Sequence, residues 1–268
     1  MKGIIIAAGK GARMGQLTEN CPKCMLRFGR TSILEQNLRL MNYVGCDEVV
    51  VITGHAASAL PDVGIRKVHN PEYEQNNVLH SLMMAREEFD DELLITYSDI
   101  WVEQEVYEGL LSTRGEVVLV ADTDWRAYYV GRDQHTADEA EKIYFDEDRR
   151  VISIGKHLSE TPLEKGLAVA EFPGLLKLSR DFAPKFAASF ESLNARIERN
   201  APFQKASRWQ NAYLTDMLQQ LIDDGFPLEL AFIERGWAEF DTVQDLERVA
   251  SIGEQQKLYS LSRYLDAT

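Results

Sequence analysis

The chain has too little of several things to be several kinds of protein. Only three cysteines (Cys21, Cys24 and Cys46) occur in 268 residues, so no disulfide framework supports the fold. Cys21 and Cys24 form a C-x-x-C, but "CPKC" follows the polar run "GQLTEN" instead of opening a helix, as a thioredoxin-type pair would. Incidental cysteines are expected. Five scattered histidines give no second cluster at zinc-ligand spacing. No apolar run approaches the ~20 residues of a membrane-spanning helix. The first strand is too short, and too soon followed by glycine, for a signal peptide, so a cytoplasmic protein with no membrane insertion is expected. Positive charge is also scarce: 29 Lys and Arg face 43 Asp and Glu, a formal charge of −14. Such a surface repels nucleic acid and anionic lipid, so any polyanion must be held locally by a few cations, loop amides or a metal. No repeat and no Pro-, Gly- or Ser-rich linker divides the chain, and a single domain over 1–268 is expected.

What is present is an alternation of strands and helices. "GIIIAAG", "DEVVVITG", "ELLITYSD" and "GEVVLVAD" are nearly continuous apolar strands, with "IRKVHN" a shorter one; "SILEQNLRLMNYVG", "NNVLHSLMMAREEF" and "EVYEGLLS" are helical. Strands apolar on both faces and separated by helices predict an α/β fold, a Rossmann-like, mostly parallel (mixed) sheet with helices on both faces. The second half is less regular. "AEKIYFDEDRRVISIGK" reads as an antiparallel hairpin, "GLAVAEFPGLLKLS" as a strand region, "NAYLTDMLQQLIDDG" as a helix and "LELAFIE" as a strand. Residues of about 125–212 are expected to form a lid-like insertion. A late helix and tail, about 243–268, begin with a capping-box pattern from Thr242 to Asp245. The tail packs either on the domain or on a second copy, which leaves a homodimer open.

The chain opens "MKGIIIAAGKGARMG", a strand running into Gly9, Gly11 and Gly15, as where backbone must approach a charged ligand. The dinucleotide fingerprint G-x-G-x-x-G fails because the third glycine comes one place late, and no G-K-[ST] of a P-loop occurs anywhere. A third device is a loop that wraps a nucleoside triphosphate and sets an arginine and a lysine on its oxygens. "AAGKGARM", followed ten residues after Arg13 by Lys23 in "CPKC", resembles the nucleotidyltransferase superfamily and its L-x-A-G-x-G-x-R-[LM]…P-K signature. The resemblance implies that Ala7, Ala8, Gly9 and Gly11 bind the nucleotide. It implies that Arg13 holds the phosphates and that Lys23 stabilises the transferred α-phosphate.

Carboxylates for a metal come next. Asp99 stands just past an apolar strand, where open α/β sheets bind ligands, and magnesium prefers one or two carboxylates plus phosphate oxygens. Taken alone, it reads equally as a strand-end turn residue. In "GWAEFDTVQDL", Glu239 and Asp241 share one side of an extended segment, although Asp241 also reads as a cap of the helix near Thr242. The pattern E-x-D-T-x-x-D-L resembles the late metal motif of the choline-type cytidylyltransferases, which implies Mg2+ held by Asp99 and Asp241, with Glu239 as a further ligand.

"NNVLHSL" also resembles cytidylyltransferases acting on phosphocholine and 2-aminoethylphosphonate. There Asn77 and Ser81 would read the base; an N-cap role for Asn76 or Asn77 is compatible with this. The likeness extends over residues 1–30, 70–180 and 208–247. It implies that Lys156 lies near the acceptor phosphate, as a catalytic and substrate-binding group, on the acceptor side formed by 125–212. A cationic acceptor head would want carboxylates or aromatic faces: Glu171 and Trp237 are the candidates, with Asp124, Trp101, Trp125, Tyr128 and Tyr129 also available. The expectation is transfer of CMP from CTP to a small phosphate or phosphonate acceptor, with pyrophosphate released and no general base needed. A sugar-1-phosphate nucleotidyltransferase using UTP or dTTP, and a non-catalytic nucleotide-sensing module, are the alternatives.

Overall fold

A computed structural model describes residues 1–28 and 31–248. In its first half the strands are β1 (Lys2–Ala7), β2 (Arg27–Phe28), β3 (Thr31–Ser32), β4 (Glu48–Thr53), β5 (Arg66–His69), β6 (Leu93–Tyr97), β7 (Ile100–Val102) and β8 (Val117–Asp122). They alternate with helices α1 (Ile33–Tyr43), α2 (Val78–Leu82) and α3 (Gln104–Ser112). The second half adds α4 (Trp125–Tyr129), β9 (Glu141–Phe145), β10 (Val151–Lys156), β11 (Ala168–Glu171), β12 (Leu175–Leu178), α5 (Ala183–Arg196), α6 (Leu214–Asp223), β13 (Glu229–Ile233) and β14 (Trp237–Glu239).

Strand β1 lies between β4 and β6 and runs parallel to both, and β5 extends the sheet beyond β4. The antiparallel strand β12 enters between β6 and β8, and β13 runs parallel to β8. The period-2 alternation of strand side chains divides the apolar runs between two cores. Ile4, Ile6, Val50, Ile52, Leu93, Ile95, Val117 and Leu119 face one core; Ile5, Ala7, Val49, Val51, Leu94, Val118 and Val120 face the other. The expected mixed, mostly parallel sheet covered on both faces is therefore present. Among the described residues no helix is long and apolar enough to cross a membrane.

Several details differ from the sequence pattern. The helix expected over "NNVLHSLMMAREEF" is short: Asn77 caps α2, and a 3-10 segment with a kink at Ala85 (φ −95°, ψ 22°) completes it. "GLAVAEFPGLLKLS" is two strands broken at Phe172-Pro173-Gly174. Gly174 has φ +92° and lies so close to the Tyr97 ring that a Cβ would sit 2.1 Å from it, so only glycine fits. Helix α5 has no counterpart in the expectation, yet Ala183, Phe186, Phe190 and Leu193 recur at helical spacing behind Pro184 in its first turn. Of residues 125–212, β9, β10 and β11 continue the sheet past β8 and β12 lies within it. The Thr242–Asp245 capping box forms, with Asp245 N donating to Thr242 Oγ1 at 3.3 Å and Thr242 N to Asp245 Oδ2 at 2.8 Å. The expected helix starts at Val243, and its part beyond 248 lies outside the described residues.

Candidate active site

A cavity of about 290 Å³ opens at the C-terminal ends of β1 and β6. Its lining takes in Ala7, Ala8, Gly9, Gly11, Arg13 and Lys23 from the opening segment, Asn77 and Ser81 from α2, and Asp99. Lys156, Glu171, Trp237, Glu239 and Asp241 complete the set from the second half of the chain. Trp101 and Trp125 are instead fully buried core side chains. Neither cysteine of the C-x-x-C lines the cavity, and burial pushes the Cys24 thiol up to about 12, leaving no thiolate at neutral pH.

The glycine loop leaves β1 and turns at Gly11, whose φ of +59° is left-handed and where a Cβ would sit 3.2 Å from the side chains of both Lys23 and Thr18. Thr18 Oγ1 donates to the Gly11 carbonyl at 2.8 Å, tying the turn from inside. The carboxylates arrive by another route. Antiparallel pairing of β14 with β7 sets Glu239 opposite Ile100, and Phe240 N donates to the Asp99 carbonyl at 2.9 Å. That pairing brings Asp99 beside Asp241 although 142 residues of chain separate them.

Cations and carboxylates meet here. Lys23 Nζ lies 3.0 Å from Asp99 Oδ2 and 2.5 Å from Asp241 Oδ1. Arg13 pairs with Asp241 Oδ2 and, at 2.6 Å, with Glu139 Oε2. Burial opposes charge on Lys23, but Asp99 and Asp241 outweigh it and hold the ammonium above its ordinary range. Burial would raise the Asp241 carboxyl, but His135, Lys23 and Arg13 hold it far below the usual carboxylate range. Glu239 receives Arg132 Nη2 at 3.1 Å, and its carboxyl is raised by burial. These oxygens form a hard, anionic donor set that fits a divalent cation such as Mg2+.

At the α2 end, the Asn77 side chain is already engaged: its Oδ1 accepts from Val78 N at 2.8 Å and its Nδ2 donates to the Asn211 carbonyl at 3.2 Å. The N-cap reading therefore holds for Asn77. Ser81 Oγ accepts from Asn70 Nδ2 at 2.9 Å; that fully buried amide also donates to Asn76 Oδ1 at 2.9 Å. Sequence reasoning passed over Asn70, which lies at the end of the weakly patterned strand β5.

The remaining wall is acidic and aromatic. Glu171 receives the Tyr129 hydroxyl on Oε1, while its buried Oε2 has no hydrogen-bond partner; burial raises its carboxyl well above the usual range. Glu141 receives the Tyr97 hydroxyl at 2.9 Å, and burial pushes its carboxyl up to about 7. Lys156 ends β10 with its Nζ 5.4 Å from the Tyr213 ring centre and 3.9 Å from Glu139 Oε2. The Trp237 indole N–H donates to Asp122 Oδ2 at 2.8 Å, fixing the ring. His135, Glu139, Glu141 and Tyr97 were not singled out from sequence, and Tyr129 was named only among the aromatics available for a cationic head. Only the carboxylates and the lone histidine carried any chemical signal, and no local pattern set them apart from surface residues.

A profile described as "MobA-like NTP transferase domain" matches residues 3–163. The chain is 26% identical, over 92% of its own length and 98% of the relative's, to a CTP:phosphoglutamine cytidylyltransferase of Campylobacter jejuni. It is 26% identical to a 2-aminoethylphosphonate cytidylyltransferase of Lancefieldella rimae, over 66% of this chain and 70% of the relative. The fold is similar to that of the CTP:phosphocholine cytidylyltransferase of Streptococcus pneumoniae, with a TM-score of 0.67 and 18% identity, covering 94% of this chain and 98% of that one.

Proposed function

The chain belongs to the MobA-like NTP transferase domain family, and from that premise we propose that it transfers CMP from CTP to a small phosphate or phosphonate acceptor bearing an amine, releasing pyrophosphate. One observation carries the reading: a glycine loop, Arg13 and Lys23 face Asp99 and Asp241 in a single cavity at the strand ends. The names of the two sequence relatives given above, both cytidylyltransferases, support the choice of nucleotide.

The loop and Arg13 hold the leaving β- and γ-phosphates. Asp99 and Asp241, with Glu239, hold Mg2+, which when bound neutralises charge on the α-phosphate and helps to orient it. Lys23 turns from the carboxylates to the α-phosphate and meets the charge that develops there. Ser81, oriented by Asn70, keeps its hydroxyl proton for an acceptor atom of the base. An acceptor phosphate or phosphonate is already an oxyanion near neutral pH, so in-line positioning suffices and no side chain has to remove a proton. Lys156 meets that oxyanion, and the unpartnered Glu171 oxygen, on a carboxyl that the arriving cation would help to ionise, meets the ammonium group.

Pyrophosphate release, measured with Mg2+ while four NTPs are crossed against phosphocholine, 2-aminoethylphosphonate and glucose-1-phosphate, tests this. Turnover with CTP and an amine-bearing acceptor is expected. Turnover confined to UTP or dTTP with the sugar phosphate contradicts it.

A further inference from the structure

A buried imidazole without hydrogen bonds is costly unless something else ligates it. His135 is 4% exposed; its Nε2 has no hydrogen-bond partner, and its Nδ1 approaches a carboxylate without the alignment of a hydrogen bond. Its Nδ1 lies 2.9 Å from Asp241 Oδ2 and 3.5 Å from Glu239 Oε2, and the donor atoms of these three residues all fall within 4.8 Å of one another. Neighbouring ligands of a six-coordinate ion with bonds of ~2.1 Å stand about 3 Å apart, and opposite ones about 4.2 Å. The two sides that meet at His135, 2.9 and 3.5 Å, have the spacing of neighbouring ligands on one ion. Asp241 presents its other oxygen, Oδ1, to Lys23 on the side of Asp99.

We propose that His135 Nδ1, Glu239 and Asp241 Oδ2 form a divalent-cation site whose nitrogen donor makes it select a first-row transition ion over Mg2+. The proposal rests on the reading of Asp241 as a metal carboxylate and adds to it a ligand of a different chemical type. Mg2+ demands oxygen donors, whereas imidazole suits the transition ions, and the two carboxylates keep the site hard enough for Mn2+. The surroundings are those of a ligand set. Arg132, gripped by both Asp245 oxygens at 2.7 and 3.0 Å, donates to the same Glu239 Oε2 at 3.1 Å and holds it in place. The Tyr129 ring packs 6.2 Å from the imidazole, limiting its rotation. Arg13 shares the same Asp241 oxygen, but it is 49% exposed and able to turn toward phosphate as an ion enters.

The test is Mn2+ binding to the full chain, read by electron paramagnetic resonance and by pulsed detection of nitrogen coupled to the bound ion. The expected result is Mn2+ bound at least tenfold tighter than Mg2+ in competition, with a histidine nitrogen coupling in the wild-type spectrum. His135→Gln should abolish the coupling and the Mn2+ preference while Mg2+ affinity stays within about threefold. Should that variant not fold, wild-type protein carrying 15N-histidine must show the altered coupling and Glu239→Gln must weaken it. Mn2+ bound without nitrogen coupling, or coupling that survives His135→Gln, overturns the site and leaves the carboxylate reading standing. Mn2+ that does not bind at all overturns both.

Discussion

The Lys23 ammonium and the Asp241 carboxylate, 218 residues apart in sequence, lie 2.5 Å apart at the floor of the cavity, with Asp99 on the far side of the lysine. In the free protein, then, the cation assigned to the phosphate neutralises the carboxylates assigned to the metal. On the proposed reading, substrate and metal would enter by exchanging partners with this set of charges.

Removing Lys23 breaks both roles. Lys23→Ala is expected to lower turnover by about 10²- to 10³-fold, the range for losing one group that faces developing charge. It also leaves Asp99 and Asp241 facing each other. Because the cations hold the Asp241 carboxyl low, their stabilisation is present above the ordinary carboxylate pKa of about 4 and is lost as pH falls below it. The melting temperature of the variant should therefore lie furthest below wild type at neutral pH and begin to approach it only as pH falls below about 4. Melting curves that stay parallel across pH would show that the pair does not act in this way.

Asp99 and Asp241 should separate catalysis from stability. Asp99 is 25% exposed at its side chain and pairs with Lys23 alone among the described ion pairs, so Asp99→Asn is expected to cost about 10²-fold or more in turnover. Its melting temperature should move by less than about 2 °C. Asp241 is 10% exposed and touches Lys23, Arg13 and His135. Asp241→Asn leaves the Lys23 and Arg13 cations without that counter-charge and should lower the melting temperature by several degrees as well as abolishing turnover. Equal melting losses in the two variants would contradict this division.

Glu141 gives the opposite pH signature. Burial raises its carboxyl to about 7 in the folded chain, against about 4.5 when unfolded. The folded state therefore holds a proton that the unfolded chain has lost. That contribution is complete below about pH 4.5, declines as pH rises toward 7 and is gone above it. Glu141→Gln removes the dependence, so its melting temperature relative to wild type should climb between pH 4.5 and 7 and then level off. A constant difference across that range, measured by thermal melting, would place the Glu141 carboxyl in its ordinary range.

The parts of the site that were legible in the sequence are those carried by local pattern. Gly9, Gly11, Arg13 and Lys23 lie in one short segment. Asp99 ends an apolar strand, and Asp241 precedes a helix marked by Thr242 and Asp245. Each could be found because its local segment resembles a signature of the nucleotidyltransferase superfamily; the backbone pattern alone left Asp99 and Asp241 open to turn and cap roles. His135, Glu139 and Glu141 could not: Glu141 enters the cavity through the pairing of β9 with β10, and His135 and Glu139 lie on the irregular segment before β9, where no local period marks them. Asn70 was missed for a similar reason: its role depends on Asn76 and Ser81 coming to it from the next helix. Helix α5 was readable in principle, but its alanines dilute the contrast between its apolar and polar faces.

The central claim, nucleotidyl transfer from CTP, is tested most directly by following the label from CTP carrying 32P at the α- or at the γ-position, with Mg2+ and an amine-bearing phosphate or phosphonate acceptor. The account predicts that the α-label appears in a new CMP conjugate of the acceptor and the γ-label in free pyrophosphate, in equal amounts. CTP that binds while neither label moves would contradict it and identify a nucleotide-sensing protein.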